Sequence, residues 1–519
     1  MNAQGIARAA GMVAAFGVLS RVLGFVREAV LSRTFGTQGQ GGAQADVFAN
    51  SLFLVNTVAA LLLYTLVTLI IPAFEQEREE RDEASAWGLL WTVGAWVVVG
   101  LCALGALAAA WPQGPTALFH LDQQRAALME HLVRIMSAGL ALQGISALLT
   151  AVLQSQRRFV GPAVVGVAFN LGVIMGLVIG GRSVEAAAWG VVAGATAQVL
   201  FQLPQLIAVL RHAPSGRPAW RHPRLRGFGT LALPVLAASL AQQINGFTDK
   251  LFASSLDFGR TAALNYANAA GSAPRTVLLM PLLAPVFPVI SRMFAEGRQR
   301  ETAVAVNRAA GVLGLVSVPV SAFLMIFPAE VARLMFGGSK CGAACVNDIA
   351  GPLRWYALAV WAAFIGYLLN RSLSAANRAR EIMWATLITV VATIGLDLIL
   401  IGPLGHSGLA LATAIGVMLN TAITTWMLAQ TLPEFSPRLM LERQGRLIAC
   451  GAIASGIAIA VGFLGPGGHQ SVGTVIGALL VKGLIAGVAY VAATRVLAAP
   501  ELREGANAMR AIVRRARPA

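Results

Sequence analysis

The chain has 519 residues, of which 57% are hydrophobic and only 12% charged, against roughly a quarter charged in soluble proteins; the mean hydropathy is +0.71. That much apolar surface cannot be hidden from water, so the chain is an integral membrane protein, and disorder, collagen and a disulfide scaffold (there are four cysteines) are excluded. The net charge of +16 sits in short loops between apolar runs, which points to membrane topology and not to nucleic acid.

A bilayer-spanning helix needs about 20 mostly apolar residues. The sequence predicts fourteen of them, at 11–35, 46–72, 87–111, 129–154, 160–180, 186–210, 229–256, 262–290, 304–328, 352–373, 382–402, 407–430, 446–465 and 473–497. Period-2 strand patterns are absent, which excludes a β-barrel. The longest connection runs from about Arg211 to Gly227, leaving no room for an extramembrane domain. One set of alternate connections is heavily basic and includes Arg8, Arg157, Arg158, Arg211, Arg217, Arg221, Arg224, Arg226, Arg378, Arg443, Arg446 and the tail with Arg503 and Arg510. The other carries only Arg33, Arg125, Arg182, Arg260, Arg333 and Lys340. The basic set faces the cytoplasm, so both termini are expected inside. The acidic loop Glu75–Glu83 falls on the same side, and acids weigh little in that rule. The first apolar run continues through Arg21, Arg27 and Glu28 with no cleavage site, so no signal peptide is expected.

Cys341 and Cys345 lie in an outward loop, either as a small disulfide or as two free thiols. Cys102 and Cys450 read as ordinary buried apolar residues.

An internal duplication organises the spans. Phe25-Val-Arg-Glu28 followed by Ala45–Asn50 resembles Phe247-Thr-Asp-Lys250 followed by Ala263–Asn268. Arg157–Ala163 and Asn170 echo Arg378–Glu381 and Asp397. The predicted fold is therefore all-α, with two six-helix lobes at 1–210 and 229–430 related by a pseudo-two-fold axis along the membrane normal. Two further helices occupy 446–497, and a basic cytoplasmic tail occupies 498–519.

A charged side chain at a helix centre costs roughly 2.5–3.5 kcal/mol on insertion scales, so intramembrane charges are informative. The first span holds Arg21, Arg27 and Glu28. Arg21 and Glu28 share a helix face, and Arg27 lies about 120° away. Two guanidiniums with one acid suit a phosphate or pyrophosphate ligand; the alternative is an Arg–Glu pair locking this helix to a neighbour such as Asp46. Asp249 and Asp397 are isolated acids in later spans. With Thr393 and Thr413 they form a set of hard oxygen donors suited to Na⁺ or H⁺; the alternative pairs Asp249 with Lys250. Lys482 interrupts the last span and is expected to snorkel, or else to meet a lipid phosphate. There is no phosphate-binding G-x-x-x-x-G-K-[ST] loop and no nucleophile–base constellation, so neither an ATPase nor another enzyme is expected.

These residues resemble the MurJ (MviN) lipid II flippase family, within the multidrug/oligosaccharidyl-lipid/polysaccharide exporter superfamily. Ser20–Glu28 with Ala45–Phe48 looks like its opening signature. Arg157–Ala163 with Asn170, Trp189–Gly194, Gln202–Gln205, Asp249 with Phe252–Ser254, and Ile401–Leu411 with Asn420 match later helices. The resemblance implies a fourteen-helix, two-lobed V with a cationic central cavity and a groove at the last two helices for the polyprenyl tail. It maps Arg21, Arg27, Glu28 and Asp46 onto the substrate site. It maps Asp249, Thr393, Asp397 and Thr413 onto a sodium site, with Thr393 replacing an Asn. The family's arginines in helices 2 and 8 are lost, at Ala59/Ala60 and Ala269.

The expected function is flipping of lipid II from the cytoplasmic to the periplasmic leaflet of the bacterial inner membrane by alternating access, for cell-wall synthesis. The alternatives are another polyprenyl-pyrophosphate-linked oligosaccharide as cargo, or a drug/cation antiporter, against which Arg21 and Arg27 argue. No cofactor is expected beyond Na⁺ or H⁺ as coupling ion. The expected partners are the lipid-linked glycan and membrane lipids, with cell-wall synthesis proteins as further candidates and the chain itself a monomer.

Overall fold

The structure is a computed structural model that describes residues 3–214, 225–283, 286–462 and 472–506. Arg217, Arg221 and Arg224, the end of the thirteenth predicted span, the tail from 507 onward with Arg510, and the side chains of Arg8 and Arg226 lie outside the described residues.

Among the described residues the chain is helical with no strand. The helices are α1 (Ala3–Phe35), α2 (Gly39–Glu80), α3 (Glu83–Ala110), α4 (Gln113–Thr116), α5 (Gln123–Ser155), α6 (Val160–Ile179), α7 (Val184–Leu210), α8 (Leu225–Ser254), α9 (Arg260–Pro274), α10 (Met280–Leu283), α11 (Val286–Ala295), α12 (Gln299–Ile326), α13 (Pro328–Phe336), α14 (Ala343–Ala375), α15 (Ala379–Leu404), α16 (His406–Thr431), α17 (Pro437–Gly462) and α18 (Val472–Leu497). Ten of these are long and apolar enough to cross a membrane, and α9–α11, taken as one bent span, makes eleven. The predicted span 262–290 is thus a broken element: a π turn at Arg275–Leu279 separates α9 from α10, and α11 turns by 51°. Pro274, Pro281 and Pro288 explain the break, because each removes a backbone donor from the helical ladder.

Polar residues at the helix starts fix the boundaries. Asp82 accepts from the Ser85 amide at 2.6 Å, Asp122 from the Arg125 amide at 2.8 Å, and Ser183 from the Ala186 amide at 3.0 Å. Each side chain satisfies an N–H that the helix leaves open. The Arg125 amide is also the main reason the Asp122 carboxyl is held below its ordinary range.

The chain divides into two compact units, Met1–Ala262 and Ala263–Ala519. In the first, α2 packs on α5, α5 on α3 and α7, and α6 on α1 and α7. The core between α2, α3 and α5 holds Phe74 edge-on to Trp87, with Leu89, Val93 and Ala151. The α6–α7 contact is made by glycines: a Cβ on Gly172 would lie 2.3 Å from the Gly194 Cα, and one on Gly176 2.6 Å from the Gly190 Cα. Such small-residue seams bring helix backbones together where lipid provides no hydrophobic drive. In the second unit, α14 packs on α12 and α16, α15 on α16, and α17 on α12 and α18.

One kind of turn recurs: it closes α6 at Gly181 (φ 76°) and α11 at Gly297 (φ 69°), and after α5 and α14 it is made with a residue other than glycine in the left-handed position. After α5, Arg157 has φ 57°, and the Arg158 amide reaches back to the Leu153 carbonyl. After α14, Asn377 has φ 58°, and the Arg378 amide reaches back to the Leu373 carbonyl. Both are left-handed helix ends that satisfy terminal carbonyls before the next helix starts.

Cys341 and Cys345 form a disulfide, both residues buried at the start of α14. Cys450 is buried, but Cys102 is exposed. It belongs to the outer face of α3, where Trp96, Val99 and Leu107 are also exposed; an apolar residue on a spanning helix suits lipid as well as it suits a core.

Candidate functional site

The charged stretch of α1 is organised by α6. The Arg27 Nη1 donates to Asn170 Oδ1 at 3.0 Å, and its Nη2 donates to Glu28 Oε1 at 2.6 Å. Asn170 in turn donates through Nδ2 to the Ser20 and Gly166 carbonyls, at 3.0 and 2.9 Å. Gly24 faces this amide at ordinary contact distance, and Gly166 leaves room for Ser20. Arg21 is exposed one and a half turns earlier, while Arg27 and Glu28 are half-buried. Glu28 therefore pairs with its sequence neighbour, although Arg21 shares its helical face. Neighbouring side chains rarely face each other on a helix; a guanidinium is long enough to curl back once Asn170 holds its other edge.

Asp46 is buried and serves neither arginine. Its Oδ2 accepts from the Gly259 amide at 2.6 Å and its Oδ1 from the Ala262 amide at 2.7 Å. It caps the N-terminus of α9, where open amides and the helix dipole favour a carboxylate. Gly259 has φ +82°, and a Cβ there would lie 1.8 Å from the Thr37 carbonyl oxygen. The α1–α2 and α8–α9 turns therefore meet backbone to backbone, and only glycine allows the approach.

Around this contact lies a cluster that sequence reasoning missed. Phe53 stacks with Phe247 and Phe119 meets the same ring edge-on, both at 6.4 Å. The Arg125 guanidinium lies 4.7 Å from the Phe258 ring centre and holds Asp122 at 2.8 Å. Lys250, buried on α8, lies 5.9 Å from the Phe53 ring centre. No sequence spacing brings Phe53, Phe119 and Lys250 together; only the fold does.

Of the expected cation ligands, Asp249 lies half-buried in the first unit, and Thr393, Asp397 and Thr413 lie in the second. Asp397 is fully buried on α15 one turn after Thr393. The Thr393 hydroxyl donates to the Thr389 carbonyl at 2.9 Å, and a Cβ at Gly416 of α16 would meet that hydroxyl. Thr413 is half-buried on α16. Carboxylate and hydroxyl oxygens of this kind suit a hard monovalent cation. Beside them runs a polar ladder from Asn370 to Asn420 (3.2 Å) and on to the Thr389 hydroxyl (3.4 Å). Among the described residues no group of three or more His, Cys, Asp or Glu could hold a metal.

Lys482 neither snorkels nor waits for a lipid phosphate. Its ammonium pairs with Glu330 of α13 at 3.1 Å and lies 5.0 Å from the Phe327 ring centre. The sequence offered no hint of this partner, 152 positions earlier. Beside it, α12, α17 and α18 enclose a mainly apolar cavity of about 350 Å³ lined by Phe323, Phe327, Gly451, Ala458, Gly483 and Tyr490. After α18, the helical segment 499–506 returns to α17, where buried Glu501 sits between Arg443 (3.9 Å) and Arg446 (3.4 Å).

The family model described as lipid II flippase MurJ matches residues 31–465. A lipid II flippase MurJ of Burkholderia cenocepacia is 25% identical over 429 residues, covering 80% of this chain and 82% of that one. A probable lipid II flippase MurJ of Rhizobium tropici is 23% identical over 457 residues, covering 85% and 84%. Among solved structures, a lipid II flippase MurJ in an inward closed conformation superposes with a TM-score of 0.77 at 17% identity, covering 93% of this chain and 98% of that one. An inward-facing multidrug resistance MATE transporter gives 0.66 at 15% identity, covering 80% and 95%. These last two likenesses are of fold. The family match extends over most of the chain, from the end of α1 to α17, and the protein belongs to the lipid II flippase MurJ family.

Proposed function

We propose that this protein is a flippase that carries lipid II, the lipid-linked peptidoglycan precursor, from the cytoplasmic to the periplasmic leaflet of a bacterial inner membrane by alternating access. Family membership supports the class of function. The observation that carries the chemistry is Arg27, an intramembrane guanidinium oriented by Asn170. A planar, permanently charged fork is the group that binds pyrophosphate bidentately. Arg21, exposed on the same helix, supplies the second charge. Asp46 acts at the outward end: its bonds to the Gly259 and Ala262 amides hold two outward turns together, and they must break for release to the far leaflet.

The reading includes fourteen spans, since α1, α8 and α17 are also long helices at predicted spans, and two lobes of six. The recurrent left-handed turns at Arg157 and Asn377 support the duplication. Both termini lie in the cytoplasm, which puts Cys341–Cys345 outside, where disulfides persist. Asp397, Thr393 and Thr413 take the coupling cation, Na⁺ or H⁺. The cavity beside α17 and α18 takes part of the polyprenyl tail, whose apolar surface does not belong among charges. Ala59, Ala60 and Ala269, where family arginines are missing, favour as second reading a different glycan on the same polyprenyl pyrophosphate.

The test is rescue of a bacterium depleted of its own lipid II flippase. The wild-type chain should restore growth, and Arg21→Ala or Arg27→Ala should abolish rescue while the protein still accumulates in the membrane. Arg27→Lys should rescue poorly. Rescue by the Arg21→Ala, Arg27→Ala double variant would refute the assigned site. Failure of the wild type, with export of another polyprenyl-linked glycan, would establish the second reading.

A further inference from the structure

A second mainly apolar cavity, of about 350 Å³, lies between α10–α11 and α14 and is lined by Leu283, Phe287, Ile290 and Leu368. That is the lower end of the size of small-molecule sites, and such a wall suits a stretch of hydrocarbon chain. The Ser372 hydroxyl on it is given to the Leu368 carbonyl at 2.9 Å. Arg371 of α14 stands at the same cavity. Its guanidinium lies 5.5 Å from the Phe287 ring centre and 5.2 Å from that of Tyr367. Its Nε and Nη2 both donate to the Tyr367 hydroxyl, at 3.2 and 2.8 Å. Rings on two helices thus hold the guanidinium at the cavity, where a snorkelling arginine would trail free into the headgroups.

The contrast with Lys482 decides what this charge is for. The ammonium beside the α17–α18 cavity has Glu330 at 3.1 Å, whereas among the described residues no carboxylate pairs with Arg371. A positive charge without an acid beside an apolar hollow fits a ligand that is a hydrocarbon chain with an anion at one end. Arg371 lies one turn before the end of α14 at Ala375, the depth at which basic pockets between membrane helices meet lipid headgroups. We propose that this cavity binds an anionic phospholipid: one acyl chain lies between α11 and α14, and the headgroup phosphate takes Arg371. Tyr367 occupies the Nε–Nη2 edge of the guanidinium, which leaves the Nη1–Nη2 edge for two phosphate oxygens. Tyr367 and Phe287 are positioning residues that keep the fork at the cavity. Occupied, the site gives the broken span an apolar filling that its own side chains do not supply, and it does so whichever cargo the protein carries.

The experiment titrates the full-length protein, purified in detergent, with palmitoyl-oleoyl phosphatidylglycerol and reads bound lipid by native mass spectrometry. Phosphatidylcholine with the same chains is titrated in parallel, and inorganic phosphate and geranyl diphosphate, a short soluble prenyl diphosphate, are added as competitors. The wild type should bind the glycerol lipid roughly fivefold more tightly than the choline lipid, the scale of one basic residue meeting an acidic headgroup. Arg371→Gln, at an exposed position, should weaken the tightest-bound phosphatidylglycerol to the level of the choline lipid. Leu283→Phe, which fills the cavity, should weaken both lipids, and Ile290→Phe serves if that variant does not accumulate. Equal affinity for the two lipids in the wild type, or unchanged phosphatidylglycerol binding in Arg371→Gln, overturns the proposal. So does a loss in Arg371→Gln with none in a filled variant, since the chain would then lie elsewhere. Displacement of the lipid by inorganic phosphate at equal concentration would make this a free-anion site, and displacement by geranyl diphosphate alone would make it a site for the prenyl cargo; either result overturns the phospholipid assignment.

Discussion

Asn170 and Arg27 meet at 3.0 Å across 143 residues of sequence, and the same side chain donates to the Ser20 carbonyl of α1 and to the Gly166 carbonyl of its own helix. The side chain is a bracket: it fixes both the backbone of α1 and the direction of its charge. Asn170→Ala should lower diphosphate affinity by roughly tenfold, the usual scale for a hydrogen bond to a charged group. In an Arg27→Ala background the same change should cost little further affinity. Equal losses in both backgrounds, measured by calorimetry on purified protein, would reduce Asn170 to a packing residue.

The α6–α7 seam leaves no space for a side chain. Gly176→Leu would place a Cβ 2.6 Å from the Gly190 Cα before the rest of the residue is counted. Overpacking of this kind costs about 1–3 kcal/mol where a core can adjust, and a backbone contact adjusts less. The variant should melt well below wild type in detergent, whereas Gly477→Leu, with open space around it, should not.

Much of this architecture was legible in the sequence, because apolar length reports the medium directly. Ten of the predicted spans coincide with helices long and apolar enough to cross a membrane, the span 262–290 with a broken one, and the opening motif resembles the family's. What could not be read is what depends on a second element. Periodicity tells which face of α1 carries Arg27 but not that Asn170 waits there. The sequence offers Asp249 as one alternative partner for Lys250 and gives no sign of the Phe53 ring that its ammonium also meets. Lys482 looked unpaired because Glu330 is brought to it only by the α13 turn. Burial of Cys102 was misjudged for a related reason: in a bilayer, hydrophobicity does not distinguish the inside of a protein from its outside.

The ion pair at the apolar cavity separates two roles. Removing one partner leaves the other, partly buried charge unanswered, so Lys482→Met and Glu330→Gln should each destabilise more than the two together. Thermal melting of the three variants decides this. Transport gives the second role: Gly483→Trp, beside Phe323 in the cavity wall, should impair a long-chain substrate more than a short-chain analogue. Equal loss for both would remove the tail from this cavity.

Topology has its own test. If Cys341 and Cys345 face the outside, a membrane-impermeant maleimide should label them in intact spheroplasts after mild reduction and not before. Cys102→Ser and Cys450→Ser in the background make the signal specific. Labelling only after the membrane is opened would invert the orientation.

The Lys482–Glu330 pair also bears on how the chain is made. During synthesis α18 leaves the ribosome after α13, and it carries a lysine near its middle, at roughly 2.5–3.5 kcal/mol on insertion scales. Glu330 belongs to a segment translated about a hundred and fifty residues earlier, so the acid is already at the membrane when the lysine emerges. This helix is thereby given a docking point supplied by its predecessors. Until α18 arrives, the Glu330 carboxylate lacks the lysine that answers it in the folded chain.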